Sequence, residues 1–374
     1  MSLKTRLLKK VIIDYVIPGV FNRAARRQGK AMAMTAGSVV GGVGLLLAGR
    51  AIVRRLREYD LQGRTILITG GSRGLGLLMA RECVRQGARV AICARDAEEL
   101  ERACEDLTGR GGEAFAVPCD LTDPAEVGRM VRAVNDMFGG IDVLINNAGF
   151  IIVAPVEEMT IGDYEEAMKA NYWAAVYTTL AVLPQMRERR EGRIVNIASI
   201  GGKISVPHML PYSASKFALY GWSAGLRAEL AKDGIVVTTI CPGLMRTGSP
   251  RNATFKGQNR AEYAWFSISD SLPIMTMSAE RAARQILTAC KRGEAEVVLS
   301  LPAKIAATLQ SIFPGVTADV MGLVNRLLPA PGGIGTRRAQ GAESESSLSP
   351  SLLTSLGDKA ARENNEFPER LRVG

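Results

Sequence analysis

The chain has 374 residues, 47% of them apolar and 22% charged, with 39 Gly and 16 Pro; this supports one large α/β domain with appendages and excludes disordered, collagen-like and disulfide-stapled classes. The formal net charge is +10, but residues 1–57 hold twelve Lys/Arg against the single acid Asp14, so everything after them is close to neutral. One histidine, His208, excludes a His-rich metal site, and the six scattered cysteines (Cys83, Cys93, Cys104, Cys119, Cys241, Cys290) form no CxxC pair, so they read as buried thiols with no metal assigned.

Residues 1–57 form a basic arm. Within it, residues 31–49 run nineteen positions without a charge, close to the ~20 that cross a bilayer core as a helix. Basic flanks around an uncharged middle make this a membrane-anchor candidate, either spanning or lying in the interface. Nucleic acid is not expected as a partner, because the basic lead offers only Tyr15 and Phe21 for base stacking.

From residue 58 to 300, short β-branched runs alternate with longer helical patterns, the signature of repeated βαβ units. Strands are predicted at 65–69 (TILIT), 89–93, 113–117, 141–145, 193–199, 235–240 and 296–300. Seven such near-continuous apolar strands make a doubly wound parallel sheet with helices on both faces, and right-handed crossovers bring their C-terminal ends to one edge, where ligands bind.

The motifs fall at that edge. The first strand runs into TGGSRGLG, placing Gly70, Gly74 and Gly76 in the turn before a helix, whose free N–H groups and positive dipole end suit a pyrophosphate. After the second strand the chain reads CARD. Arg95 there, with Arg73 inside the glycine loop, can pair with a 2′-phosphate and favours NADP over NAD, while Asp96 reads as a helix N-cap. Cys119-Asp120-Leu121 follows the third strand and Asn146-Asn147-Ala148-Gly149 the fourth. Ser199 closes the fifth, and Tyr212 and Lys216 follow at i and i+4 on one helix face. An ammonium beside a phenol can lower its pKa from about 10, which suits a proton donor in carbonyl reduction.

The ordered set TGxxxGxG, NNAG, Ser and YxxxK, over about residues 60–300, resembles the short-chain dehydrogenase/reductase family and implies a Rossmann-type fold. Carried onto this chain, the resemblance implies Tyr212 as general acid and Ser199 as the hydrogen-bond partner of the same carbonyl oxygen. It implies that Lys216 holds the nicotinamide ribose and depresses the Tyr212 pKa, and that Asn171 positions a water in a relay to Lys216. NADP(H) would be held by Gly70, Ser72, Arg73, Gly74, Leu75, Gly76, Arg95, Asp120, Leu121, Asn147, Ala148, Gly149, Tyr212, Lys216, Pro242, Gly243 and Thr247. It also implies a homodimer or homotetramer paired through residues 161–187 and 212–232.

Residues 244–279 correspond to the family's mobile substrate lid. Here they carry Met245, Phe255, Tyr263, Trp265, Phe266, Met275 and Met277, read either as an apolar adaptable pocket or as completion of the core. His208 is expected near the pocket entrance without a catalytic role. Residues 301–331 read as two apolar helices broken at Pro314, capping the domain or pressing it onto a membrane. Residues 332–374, rich in Gly, Ser and charge, are expected to be disordered. Together these features point to an NADPH-dependent reductase of a lipophilic ketone or aldehyde (a 3-oxoacyl, keto-sphingoid, steroid or retinoid compound), membrane-associated with its catalytic domain facing the cytoplasm. The alternative is a membrane-tethered NADPH-binding sensor or scaffold without turnover.

Overall fold

The computed structural model describes residues 58–367, so the basic arm and its apolar segment 31–49 lie outside the described residues. The domain is built on seven parallel strands: β1 (Thr65–Thr69), β2 (Arg89–Ala94), β3 (Ala114–Pro118), β4 (Val143–Asn146), β5 (Gly192–Ile197), β6 (Ile235–Cys241) and β7 (Glu296–Val298). Their order across the sheet is β7-β6-β5-β4-β1-β2-β3. The order reverses between β1 and β4, which opens a crevice beyond their C-terminal ends.

Every residue of β1 is buried, because it lies between β2 and β4 with helices on both faces; Ile66 pairs with Val90 on one side and Val143 on the other. One face is covered by α1 (Gly74–Arg85), α2 (Ala97–Gly109) and α8 (Ala279–Arg292), which bring Leu77, Met79 and Cys83 against Ile286, Leu287 and Cys290. The other is covered by α3 (Pro124–Phe138) and α5 (Ala174–Arg189), which bury Val127, Met130 and Val134 with Val182, Leu183 and Met186. Asp96 caps α2 as expected, its side chain accepting from Glu99 N–H. Strand β5 ends two residues before the predicted Ser199, because the Ser199 hydroxyl accepts from Gly201 N–H and turns the chain into a 3-10 segment, Ile200–Gly202.

Three further helices position the site. They are α4 (Ile161–Met168), joined to α5 through a π turn at Lys169–Trp173, α6 (Leu210–Leu230) and α7 (Asn259–Ser271). Beyond the sheet, α9 (Leu301–Ile312) and α10 (Pro314–Asn325) meet at Pro314, as the sequence predicts. Only Ala303 and Ala307 of the pair are buried, whereas Leu301, Ile305, Leu309, Ile312, Val316, Val320 and Leu323 are exposed. No described helix is long and apolar enough to cross a membrane.

The expectation of a disordered tail is corrected through residue 367. Arg338 pairs with Asp163 and Glu166, and Ala339–Gln340 adds an antiparallel strand to Thr254–Phe255 in the lid. Helix α11 (Ser355–Glu363) follows, and its Ala360 and Ala361 are buried. Composition misled here because the few groups that fasten this segment are polar and find their partners far away in sequence.

Candidate active site

The glycine loop is fixed by close backbone contact. Gly70 adopts φ +62°, and a Cβ on Gly76 would lie 2.0 Å from the Gly70 carbonyl oxygen, so a side chain at that position would push the helix off the loop. Helix α1 begins with no acid in its first turn and no side-chain cap from Arg73. The Asn147 amide donates to the carbonyls of both Thr69 and Gly70, at 3.0 Å each, so Asn147 holds the loop in shape. Thr69, which the sequence reading passed over, accepts from the N–H groups of Asn147 and Ala148. A strand-terminal threonine facing NNAG was the one available signal.

At the adenosine end lies a cavity of about 630 Å³ lined by Arg95, Val117, Cys119, Asp120, Glu126 and Arg129. Asp120 is oriented by Thr122, whose backbone N–H and hydroxyl both donate to its Oδ1, while the neighbouring Leu121 is buried in the core. Arg95 is exposed at the rim, and Arg129, three positions along α3 from Glu126, is a second guanidinium that the motif reading did not include. Arg73 pairs with Glu99, which also accepts from the Ser72 hydroxyl. The dipole end, the close glycine backbone and the basic cavity rim fit the adenosine half of a dinucleotide. The rest of the loop is engaged by the chain itself: Gly74 N–H donates to Asn364 carbonyl at 2.9 Å.

On the nicotinamide side, Ser199, Tyr212 and Lys216 converge above the ends of β5 and β6. A Cβ on Gly201 would sit 3.2 Å from the Tyr212 ring and 3.3 Å from Ser199 Oγ. Burial pushes the Tyr212 phenol above its ordinary range, while its hydrogen bond to Ser199 pulls it back. Lys216 is buried and donates to Ile197 carbonyl at 2.9 Å; burial lowers its ammonium to about 8. Its Nζ lies 5.8 Å from the centre of the Tyr212 ring, so Ser199, and not the expected lysine, is the direct lowering partner of the phenol here.

Asn171 sits in the π turn between α4 and α5, buried beside Gly149. Its amide nitrogen donates to Phe150 carbonyl and Ser215 hydroxyl, and its oxygen accepts from Phe150 N–H. The side chain therefore braces the NNAG loop against α6. Pro242 accepts from Ile200 N–H through its carbonyl, Gly243 packs on Ser300 and Ala303, and Thr247 is buried under the C-terminal segment.

The lid divides. Phe255, Tyr263 and Phe266 pack edge to face in a small core, which Tyr212 and Trp265 touch, and Met277 joins the main core. Met245 is half-buried against the main core, and Met275 is exposed. His208 is buried with Nδ1 2.8 Å from Glu262, which also accepts from Trp265 Nε1, so it ties its loop to α7. Among the described residues no cluster of His, Cys, Asp or Glu could hold a metal ion.

Comparison with known proteins supports this arrangement. Residues 64–256 match the model of the short chain dehydrogenase family. The chain is 37% identical to the dehydrogenase/reductase SDR family protein 7-like of Anopheles gambiae, over 74% of this chain and 88% of that one. It is 39% identical to the ketoacyl reductase HetN of a Nostoc species, over 49% of this chain and 64% of the relative. A solved variant of actinorhodin polyketide ketoreductase with NADPH superposes with a TM-score of 0.57 at 31% identity, covering 63% of this chain and 95% of that one. With the glycine loop, the crevice and the Ser199-Tyr212-Lys216 convergence in place, the chain belongs to the short-chain dehydrogenase family and is an oxidoreductase built to use a nicotinamide dinucleotide.

Proposed function

We propose that the protein is an NADPH-dependent reductase of a lipophilic ketone or aldehyde, working at the cytoplasmic face of a membrane. The observation that carries the reading is the convergence of a buried lysine, a phenol and a serine hydroxyl at the ends of two adjacent strands. NADPH, when bound, supplies the hydride. Ser199 holds the substrate's carbonyl oxygen and polarises it, and Tyr212 delivers its proton to that oxygen. Lys216, held by Ile197, keeps a positive charge within reach of the resulting phenolate, and Asn171, in the π turn, would position the water that returns a proton. Arg95 and Arg73 are the candidates for a 2′-phosphate, and Asp120 and Leu121 for the adenine side.

Two relatives whose names specify a ketoacyl or polyketide carbonyl support reduction as the direction and an acyl-type ketone as one substrate class. The exposed apolar row of α9 and α10 supports a lipid-facing surface, since so much contiguous apolar area is rarely left in water. Exposed Trp173 and Leu180, at the π turn and on α5, and Phe217 on α6 lie on the helices through which a homodimer or homotetramer would pair. The test is NADPH oxidation by detergent-solubilised protein across long-chain 3-oxoacyl, keto-sphingoid, steroid and retinoid carbonyls, with Tyr212→Phe as control. Turnover on one class that the variant abolishes is expected; NADPH binding without turnover on any class would favour a sensor or scaffold.

A further inference from the structure

The phosphate-binding face of the glycine loop is not bare. Asn364 carbonyl accepts from Gly74 N–H, the first amide of α1, and Asn365 Nδ2 donates to the carbonyls of Ser72 at 2.8 Å and Glu99 at 3.0 Å. Arg102 donates to Asn365 Oδ1 at 3.0 Å. Next to them the Glu366 carboxylate is buried against Gly74: a Cβ there would meet Glu366 Oε1 at 2.8 Å, and Arg73 Nε lies 3.4 Å from Oε2. Asn252 of the lid donates to the same carboxylate. On the nicotinamide side, Asn364 Nδ2 donates to Thr247 carbonyl, and Ala361 packs on Gly248 so closely that no side chain would fit between them.

An acid between an arginine and a helix N-terminus has the chemistry of a phosphate held there. The segment thus puts a carboxylate, a carbonyl and an amide on groups that a dinucleotide needs. We propose that residues 355–367 are an autoinhibitory strap, a built-in competitor of the dinucleotide that has to leave the glycine loop before the pyrophosphate is seated. The inference rests on the dinucleotide reading of that loop.

The strap is fitted for release. Asn364 Oδ1 is buried without a hydrogen-bond donor among the described residues, and burial pushes the Glu366 carboxyl up to about 7 against the pull of Arg73 and Asn252, with Glu99 adding to the push. Both features weaken docking. Upstream of the strap, Arg338 is held by Asp163 and Glu166 and Ala339–Gln340 by the lid strand, so release of 355–367 leaves those contacts in place.

The experiment measures the dissociation constants of NADPH and NADH by nucleotide fluorescence for three proteins: the full chain, a chain lacking residues 354–374, and the full chain carrying Asn365→Ala and Glu366→Ala. Hydrogen exchange of 355–367 is followed with and without saturating nucleotide. If the loop is free in a tenth of molecules or fewer, the truncated chain binds about tenfold or more tightly, because apparent affinity scales with the competent fraction. The double variant moves the same way, and exchange in 355–367 rises on binding. Equal or weaker binding by both altered chains, or exchange that falls as the strap closes over bound nucleotide, overturns the proposal. A preference for NADH in all three overturns the NADPH reading alone, and a truncated, folded chain that binds neither nucleotide overturns both.

Discussion

Lys216 Nζ donates to the carbonyl oxygen of Ile197, the last residue of β5, so the ammonium is clamped to the sheet. The two other groups of the site hang from the same place: Ser199 follows Ile197 by two residues, and Tyr212 lies one helical turn before Lys216. The buried ammonium is held at about 8, below its ordinary range, so it is charged below that pH and neutral above it. Reduction needs the charge beside the phenolate. We therefore expect kcat/KM for carbonyl reduction to hold from pH 6 to 7.5 and to fall as pH rises through about 8, and Lys216→Met to remove that limb while lowering the plateau. A profile flat to pH 10 in the unaltered chain would refute it.

Tyr212→Phe is expected to lower turnover by roughly 10²–10⁴-fold, the usual worth of a positioned general acid, with nucleotide affinity changed less than twofold. Stopped-flow NADPH oxidation and equilibrium nucleotide binding check the two halves. A drop in binding equal to the drop in rate would mean that the phenol serves the cofactor instead.

Arg95 stands exposed at the rim of the adenosine-end cavity, so its interaction with a 2′-phosphate is screened by solvent. Arg95→Ala should weaken NADPH about five- to tenfold and leave NADH unchanged, corresponding to roughly 1 kcal/mol. Equal losses for both nucleotides would show that the side chain does not read the phosphate.

Asp163 is a junction. It accepts from Thr160 at the start of α4, from Lys256 of the lid at 2.6 Å and from Arg338 beyond α10 at 2.6 Å. Its carboxyl is held down at about 2 by those donors, which outweigh the upward push of burial. A folded-state pKa below the unfolded one gives stability that is present above about 4 and is lost as pH falls towards 2. Asp163→Asn should cost about 3 kcal/mol at pH 7, since it strands the buried Lys256, and much less at pH 2.5. Urea unfolding at the two pH values measures this; a cost independent of pH would sink the assignment.

The apolar row on α9 and α10 gives a fifth expectation. Replacing Leu309, Val316 and Leu323 together with Asp should cut co-sedimentation of the full chain with anionic vesicles at least threefold while NADPH binding stays intact. Unchanged sedimentation would assign membrane attachment, if any, to the arm.

The sheet was legible because parallel strands buried on both faces must be apolar throughout, and the candidate site residues because their motifs fall at the strand ends in a fixed order. TILIT is β1 to the residue. What could not be read was how side chains divide their hydrogen bonds. Asn147 and Asn171 turned out to brace loops, and the brace at Asn171 depends on a π turn that no local pattern announces. The tail was misread for a related reason: Asn364, Asn365 and Glu366 look solvated until the glycine loop, more than 280 residues earlier, supplies their partners.

The short strand Thr254–Phe255 pairs on one side with Ile152–Val153 and on the other with Ala339–Gln340. Its second neighbour is made some 85 residues after it, so a growing chain on the ribosome cannot complete this small sheet until nearly all of it has emerged. The large sheet needs nothing past Val298. The strands and helix that carry Ser199, Tyr212 and Lys216 can therefore assemble during synthesis, and the cover above them closes last.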